Sequence, residues 1–453
     1  MDDWPLLLGS EMEYGVTGQL AELVVDHVRV PATTPDPDTH HRMLGNGGRF
    51  YVDHGHPEYA TPEVRSASEL VLYEHAGDLL AAEAAAAASA AHGSPITLFR
   101  NNTDGKGHSY GYHENLLLRR STPWDAIEAA LPAVLVTRTV IGGAGRVGLG
   151  PCNENPGFQL SQRVDFFERT AGLDTTRRRG IVNTRDEPHA RPSVWRRLHV
   201  IAGDANRSPF ATWLRAGTLA LCVAALEEGL LPTITLADPV AAFRTISRDA
   251  ACAAALPLAE GSDTAVGLQE RFRDAAARLC DRSSFPEGRA LLDAWSTTLD
   301  QLRTDPTQLA DRLDWAAKLR LFTALRDRDG LSWEDPRLAA LDLRWAALEP
   351  DGIVPRLQAK GALAAPPPPA EVVAAATTPP PDTRARVRGG WITHRPAAVL
   401  AAGWDALLVR DARGGLHPLD LTDPFRHHPA PTAEPMSVDT LVGAHRAATE
   451  EGR

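Results

Sequence analysis

The sequence predicts an α+β fold: a large first domain over residues 1–362, a proline-rich linker at 363–382 and a small domain at 383–453. Three observations carry that expectation: acid-bearing stretches with a period of two, long runs of helix formers nearly free of Gly and Pro, and proline runs that interrupt the chain after Ala364. A chain of 453 residues accommodates two or three domains and a deep cleft, at roughly 150 residues per domain. Its 43% hydrophobic and 23% charged residues are ordinary globular values, and no apolar run approaches the ~20 residues of a membrane span. The opening MDDWPLLLGSEMEYG carries acids where a secretory leader carries bases, so a cytoplasmic location is expected. A net charge of -11 argues against nonspecific attraction to nucleic acid or to an anionic membrane. Cys152, Cys222, Cys252 and Cys280 lie far apart without a C-x-x-C pair, which predicts buried thiols rather than a zinc site or disulfides.

The elements follow in chain order. GSEMEYGV, starting at Gly9, reads as a strand, and a period of two then places Glu11 and Glu13 on the same side. In RFYVD, residues 49–53, Arg49, Tyr51 and Asp53 share one face; His56-Pro57-Glu58 follows, where Pro57 predicts a bend that interrupts the ladder, and Glu63 comes after Pro62. Residues 66–92, with Gly77 as their one helix breaker, read as a long helix. Residues 100–120 begin with turn formers and continue with Tyr110, Tyr112 and Glu114 on one face, His113 and Asn115 on the other. In residues 181–192 Arg185 stands among Asp186, Glu187 and His189, and in 196–208 His199 lies on an apolar strand before a Gly-Asp-Ala-Asn turn. Residues 209–228 are too continuously apolar for a solvated face and read as a core helix; 263–280 and 305–327 read as amphipathic helices. Residues 364–381, containing PPPP and PPP, read as an extended or disordered linker, and a hairpin is expected around Arg413-Gly414-Gly415.

Like charges side by side on a strand cost stability unless a cation or strong donors lie between them. A single E-x-E is most simply an exposed, solvated face. Two strands aiming acids at one side predict a divalent-cation site, with carboxylate oxygens and an occasional imidazole as ligands. His113 reads as a structural histidine. Arginine's planar fork is the usual partner of phosphate oxygens, which makes Arg185 a candidate, whereas Arg196 and Arg197 read as surface ion-paired residues.

Together GSEMEYGV, NGGRFYVDHGHPEYATPE, NNTDGKGHSYGYHEN, VNTRDEPHA, RRLHVIAGDAN and AAGWDALLVRD…TDPFR resemble the family of Pup ligases and Pup deamidase/depupylases, in order from about residue 9 to about residue 427. Pup is a small disordered prokaryotic ubiquitin-like protein. The resemblance implies a glutamine-synthetase-like fold, in which a curved, largely antiparallel sheet forms a nucleotide cradle backed by helices, with a small C-terminal domain. It implies ATP (or ADP plus phosphate) with Mg2+ as cofactors, and chemistry at the γ-carboxylate or amide of a glutamate or glutamine. Carried over by position, Glu11 and Glu13 match acids that bind magnesium and nucleotide phosphates, Tyr51 and Glu58 match residues lining the metal and nucleotide cradle, and Glu63 lies in the same motif. Asp53 matches the catalytic aspartate, a base toward an amine in the ligase branch and a nucleophile or water-activating base in the deamidase branch. His199 resembles a metal-binding histidine and Arg185 a phosphate-contacting arginine.

YVDHGHPEY, GDAN, DWAAKLRL and GWD resemble the deamidase/depupylase branch more closely, which favours hydrolysis. The interval Val16 to Phe50 is nevertheless too short for that branch's long insertion, which is absent or reduced to something like PATTPDPDTHH. The expected partner is therefore a Pup-like protein or, for a divergent paralogue, a small-molecule carboxylate or amine, with no nucleic acid or membrane. Two other classes compete with an amidohydrolase: an ATP-consuming carboxylate-amine ligase and an inert binding protein. The complete set Glu11, Glu13, Tyr51, Asp53, Glu58, Arg185 and His199 disfavours the last.

Overall fold

The acids of the N-terminal motifs lie on one antiparallel sheet. In a computed structural model, which describes residues 4–34, 40–148, 156–434 and 436–451, this sheet has six strands. They are β1 (Leu8–Glu13), β2 (Arg42–Met43), β3 (Arg49–Asp53), β4 (His56–Ala60), β5 (Tyr112–Arg119) and β6 (Trp195–Val200), in the order β6-β5-β1-β4-β3-β2. Glu13 faces Glu58 across β1 and β4, and Glu11 faces His113 across β1 and β5. Alternation along each strand then sorts the side chains. Met12, Phe50, Tyr59, Tyr112 and Leu116 enter the core, while Glu11, Glu13, Tyr51, Glu58 and His113 line the opposite face.

Helices α1 (Ala67–His92), α2 (Trp124–Thr137), α3 (Pro209–Glu227), α4 (Ala265–Cys280) and α5 (Gly288–Thr304) share one hydrophobic core with the covered face. The Ser66 side chain accepts the Glu69 N–H at the start of α1, and Gly93, at φ 79°, ends it in the left-handed region. Gly77, the one helix breaker within α1, is required by packing: a Cβ there would stand 2.1 Å from the Tyr59 ring. Among the described residues α3 alone is long and apolar enough to cross a membrane, and 83% of its apolar stretch is buried inside the protein, as a core helix requires. Cys222 and Cys252 are buried free thiols and Cys280 a half-buried one; Cys152 lies outside the described residues.

Three expectations need correction. Residues 305–327 do not form one helix: a 3-10 turn at Pro306–Leu309 precedes α6 (Asp314–Asp329), and Leu313 between them is extended. The proline-rich stretch is not without regular structure. It carries α7 (Pro369–Thr377), whose start tolerates Pro because the first-turn N–H groups have no helical partner, and whose Ala375 and Ala376 are buried in the main core. Ala375 O accepts from Asn46 Nδ2 (3.1 Å) and Thr378 O from the Tyr73 hydroxyl (2.9 Å), tying the segment to the sheet and to α1. Finally, Pro57 does not bend the chain. It sits inside β4 opposite Val52, next to the closing Asp53–His56 pair of a two-residue turn, where pairs without ladder hydrogen bonds alternate with bonded ones and a missing N–H is tolerated. The turn is made by His54 and Gly55, at φ 47° and 84°.

Beyond α7, helix α8 (Ala385–His394) and a three-stranded sheet, β7 (Val399–Ala402), β8 (Ala406–Arg410) and β9 (Leu416–Asp420), bury Val387, Trp391, Leu407, Val409 and Leu419 together. The β8–β9 hairpin turns where the sequence expects it: Asp411 Oδ1 accepts the N–H groups of Arg413 (2.8 Å) and Gly415 (2.7 Å).

Candidate active site

The acid-bearing face of the sheet floors a cavity of about 910 Å³. Glu11 and Glu13 reach it from β1, Tyr51 and Asp53 from β3, Glu58 from β4, His113 from β5 and His199 from β6. Arg49, Arg163, Arg179, Arg185 and Arg197 stand around them. Acids gathered on a floor within reach of several guanidinium groups suit a polyanion bound through cations and arginine forks.

Glu11, His113 and His199 each offer a ligand atom within 4.8 Å of the others. Asn115 fixes this trio. Its Nδ2 donates to Glu11 Oε1 (3.0 Å), while its Oδ1 lies 2.9 Å from His199 Nδ1 and accepts from Arg197 Nη1 (3.2 Å). With Nδ2 committed to Glu11, Asn115 presents only an acceptor to His199, whose Nδ1 therefore carries the proton and whose Nε2 is left with its lone pair for a cation. Burial pushes His199 down to about 3, so the ring is neutral. Burial also opposes ionisation of Glu11, but its hydrogen bond with His113 leads the contributions that outweigh this and hold it well below the usual carboxylate range.

Glu58 is only 1% exposed. Its Oε1 accepts the Tyr51 hydroxyl, and its Oε2 has no partner among the described residues. Burial first, then the charges of Glu11 and Glu13, push this carboxyl well above its ordinary range. A buried carboxylate oxygen without a donor, among other acids, is the arrangement a divalent cation would complete. Glu13 Oε2 accepts the Gly111 N–H (2.8 Å). The donor set therefore fits magnesium.

Asp53 occupies the cavity rim, 38% exposed, at the end of β3 where the tight His54–Gly55 turn begins; its Oδ2 lies 2.7 Å from His54 Nδ1. Arg185 lines the same cavity, and among the described residues no carboxylate pairs with it, because neighbouring Asp186 is engaged by Arg120 (2.5 Å) and Arg196 (3.1 Å).

Glu63 does not join this set. Arg384 (2.7 Å) and Arg388 (2.5 Å) of the C-terminal segment clamp its carboxylate, so it is a tie between the tail and the sheet rather than a cofactor ligand. Glu114 faces the helices, paired with Arg138 (2.6 Å) and Arg215 (3.3 Å), and Tyr110, expected on the same face as Glu114, lines the cavity instead and stacks on His56 with ring centroids 4.4 Å apart. Two residues outside the expected set line the cavity: His113, which the sequence presents as structural, and Arg197, which it presents as a surface ion-paired arginine, 3.8 Å from Glu11. Alternation along β5 put His113 opposite Glu114 correctly; which of the two faces the cavity is decided by the helices that pack behind the sheet. Arg163 and Arg179 carried no sequence signal.

The Pup-ligase protein family matches residues 12–408. The chain belongs to this family. It is 42% identical over 406 residues to the Pup deamidase/depupylase of Mycolicibacterium smegmatis, covering 88% of this chain and 82% of the relative. It is 43% identical over 421 residues to the depupylase of Acidothermus cellulolyticus (90% and 82% covered) and 42% identical over 419 residues to the Pup–protein ligase of Micrococcus luteus (88% of each). Among solved structures it resembles the complex of Pup with its ligase PafA, at a TM-score of 0.83 and 30% identity over 98% of this chain and 94% of that one. It also resembles PafA in complex with ADP, at 0.79 and 33% over 90% of each. The architecture is thus the glutamine-synthetase-like one expected for the family.

Proposed function

We propose that this chain is a nucleotide- and magnesium-dependent enzyme acting on the glutamate- or glutamine-type end of Pup, in the hydrolytic direction of a deamidase/depupylase. One observation carries the reading: on a single sheet face, a buried acid set with an unpartnered Glu58 oxygen adjoins five arginines, and Asp53 stands at the rim of that cavity. Magnesium, when bound, would neutralise phosphate charge; Glu11, Glu13, Glu58 and His199 would hold it, with His113 as a further donor. Arg185, free of carboxylates, would hold phosphate oxygens. Tyr51 keeps Glu58 oriented through its hydroxyl. Asp53, half in solvent, can receive an amide carbonyl carbon or a water proton without leaving its position.

The ligase direction is the second reading, and a specific observation favours it: the two solved structures named above are of a Pup ligase, and the ligase of Micrococcus luteus matches at 42% identity, the same level as the depupylases. The two separate on stoichiometry. Incubation with Pup ending in glutamine, and with a Pup-conjugated protein, should release ammonia or free protein with no net ATP loss. One ADP formed per isopeptide bond made, with no hydrolysis, would establish the ligase reading instead.

A further inference from the structure

The turn that ends β3 at the cavity rim carries a residue the turn itself does not ask for. His54 and Gly55 join β3 to β4 with φ 47° and 84°, so both central residues are left-handed. Hairpin turns of that kind are dominated by Asn, Asp and Gly, and an imidazole gains the turn nothing over these. What the imidazole does have is a neighbour. His54 lines the front cavity, and its Nδ1 stands 2.7 Å from Asp53 Oδ2. A carboxylate oxygen accepts, so Nδ1 carries the proton and the ring donates.

This is the one hydrogen bond made to the Asp53 carboxylate among the described residues. Little else restrains it: the side chain is 38% exposed, at the end of its strand. Glu13 works against a fixed orientation, because its carboxylate oxygen comes within 4.8 Å of the ligand atoms that Asp53 and His54 offer, and like charges at that distance favour turning one of them out to water. The donor on His54 opposes that rotation. It also makes the two oxygens of Asp53 unequal, occupying Oδ2 and leaving Oδ1 to meet the substrate. We propose that His54 is a positioning residue, which holds the Asp53 carboxylate in its working orientation through the Nδ1–H to Oδ2 bond. The inference rests on the catalytic role given to Asp53 and holds for the hydrolytic and the ligase direction alike.

Substitutions assayed by single turnover, in whichever direction the chain runs, test it. His54→Gly keeps the turn and removes the donor; it should lower kcat about tenfold, with KM, magnesium-nucleotide affinity by calorimetry and the melting curve unchanged. His54→Asn suits the same turn and puts Nδ2 where Nδ1 stands, so kcat should return to within about twofold of the wild type. In an Asp53→Asn background, itself far slower than the wild type, His54→Gly should cost nothing more, because the group it orients is gone. Full activity of Asp53→Asn would remove the role of Asp53 and this inference with it. With Asp53→Asn impaired, the inference alone would fall if His54→Gly turned over like the wild type, if His54→Asn were no better than His54→Gly, or if His54→Gly cost the same in both backgrounds. It would fall equally if His54→Gly weakened magnesium binding, since His54 would then be a cation ligand.

Discussion

On the covered face of the six-stranded sheet Glu114 sits between Arg138 and Arg215, whereas on the cavity face Glu58, two strands away, keeps one oxygen with no cationic or hydrogen-bonding partner among the described residues. Both carboxyls are fully buried, and burial alone would raise both. The arginines bring Glu114 below its ordinary range, while Glu11 and Glu13 drive Glu58 further up. The difference teaches how one sheet serves two ends. Charge on the covered face is matched within the chain, so folding completes it. On the cavity face the chain gives Glu58 no such partner, which is what the proposed magnesium would supply.

The largest effect should come from the rim. Asp53→Asn should lower turnover about 10²–10⁴-fold while sparing nucleotide affinity, because the side chain stands at the exposed rim and not among the buried acids of the cavity floor; single-turnover kinetics and calorimetry read the two separately. On the covered face, Glu114→Gln should destabilise by about 3–5 kcal/mol in denaturant unfolding, since it leaves two buried guanidinium groups without their anion.

Glu63 extends the paired pattern to the C-terminal segment and gives it a pH signature. Burial would raise this carboxyl, but Arg388 and Arg384 outweigh that and bring it down to about 2. A depressed carboxyl stabilises the fold above its unfolded value and loses that contribution as pH falls toward the folded one. The stability gap between the wild type and Glu63→Gln should therefore be up to about 3 kcal/mol near neutral pH and close between roughly pH 4.5 and 2.

Smaller effects probe the unpaired face. Asn115→Ala should weaken divalent-ion binding by about 10–100-fold, because His199 loses the acceptor that fixes its tautomer and Glu11 loses a donor. Imidazole nitrogen shifts should report the loss of the Nδ1–H form. Glu58→Gln should be the smallest: without metal it should leave stability within about 1 kcal/mol of wild type, or raise it, in contrast to the same change at Glu114.

Much of this face was legible in the sequence. Alternation put Glu11 with Glu13 and Arg49 with Tyr51 and Asp53, and the motif order indicated the family. The same rule also separates His113 from Glu114, yet it does not contain which of the two meets the cavity, and so His113 looks structural in the sequence. Arg197 looked like a surface residue because nothing local reveals that β6 lies beside β5 at the cavity edge. Glu63 shares a motif with true site residues, but its partners Arg384 and Arg388 come from more than 300 positions away along the chain.

The proline-rich segment is the same lesson in backbone form. The proline runs there predict an obstacle to regular structure, while the structure uses Pro369 at the first turn of α7 and buries the alanines that follow. By itself the sequence determined the long helices, the alternation along the strands and the set of acids, because these depend on periods and on neighbours a few residues apart. Which face of the sheet the helices cover, which acids receive arginines and which remain open were decided only by tertiary structure, because those pairings join segments whose proximity no local rule contains.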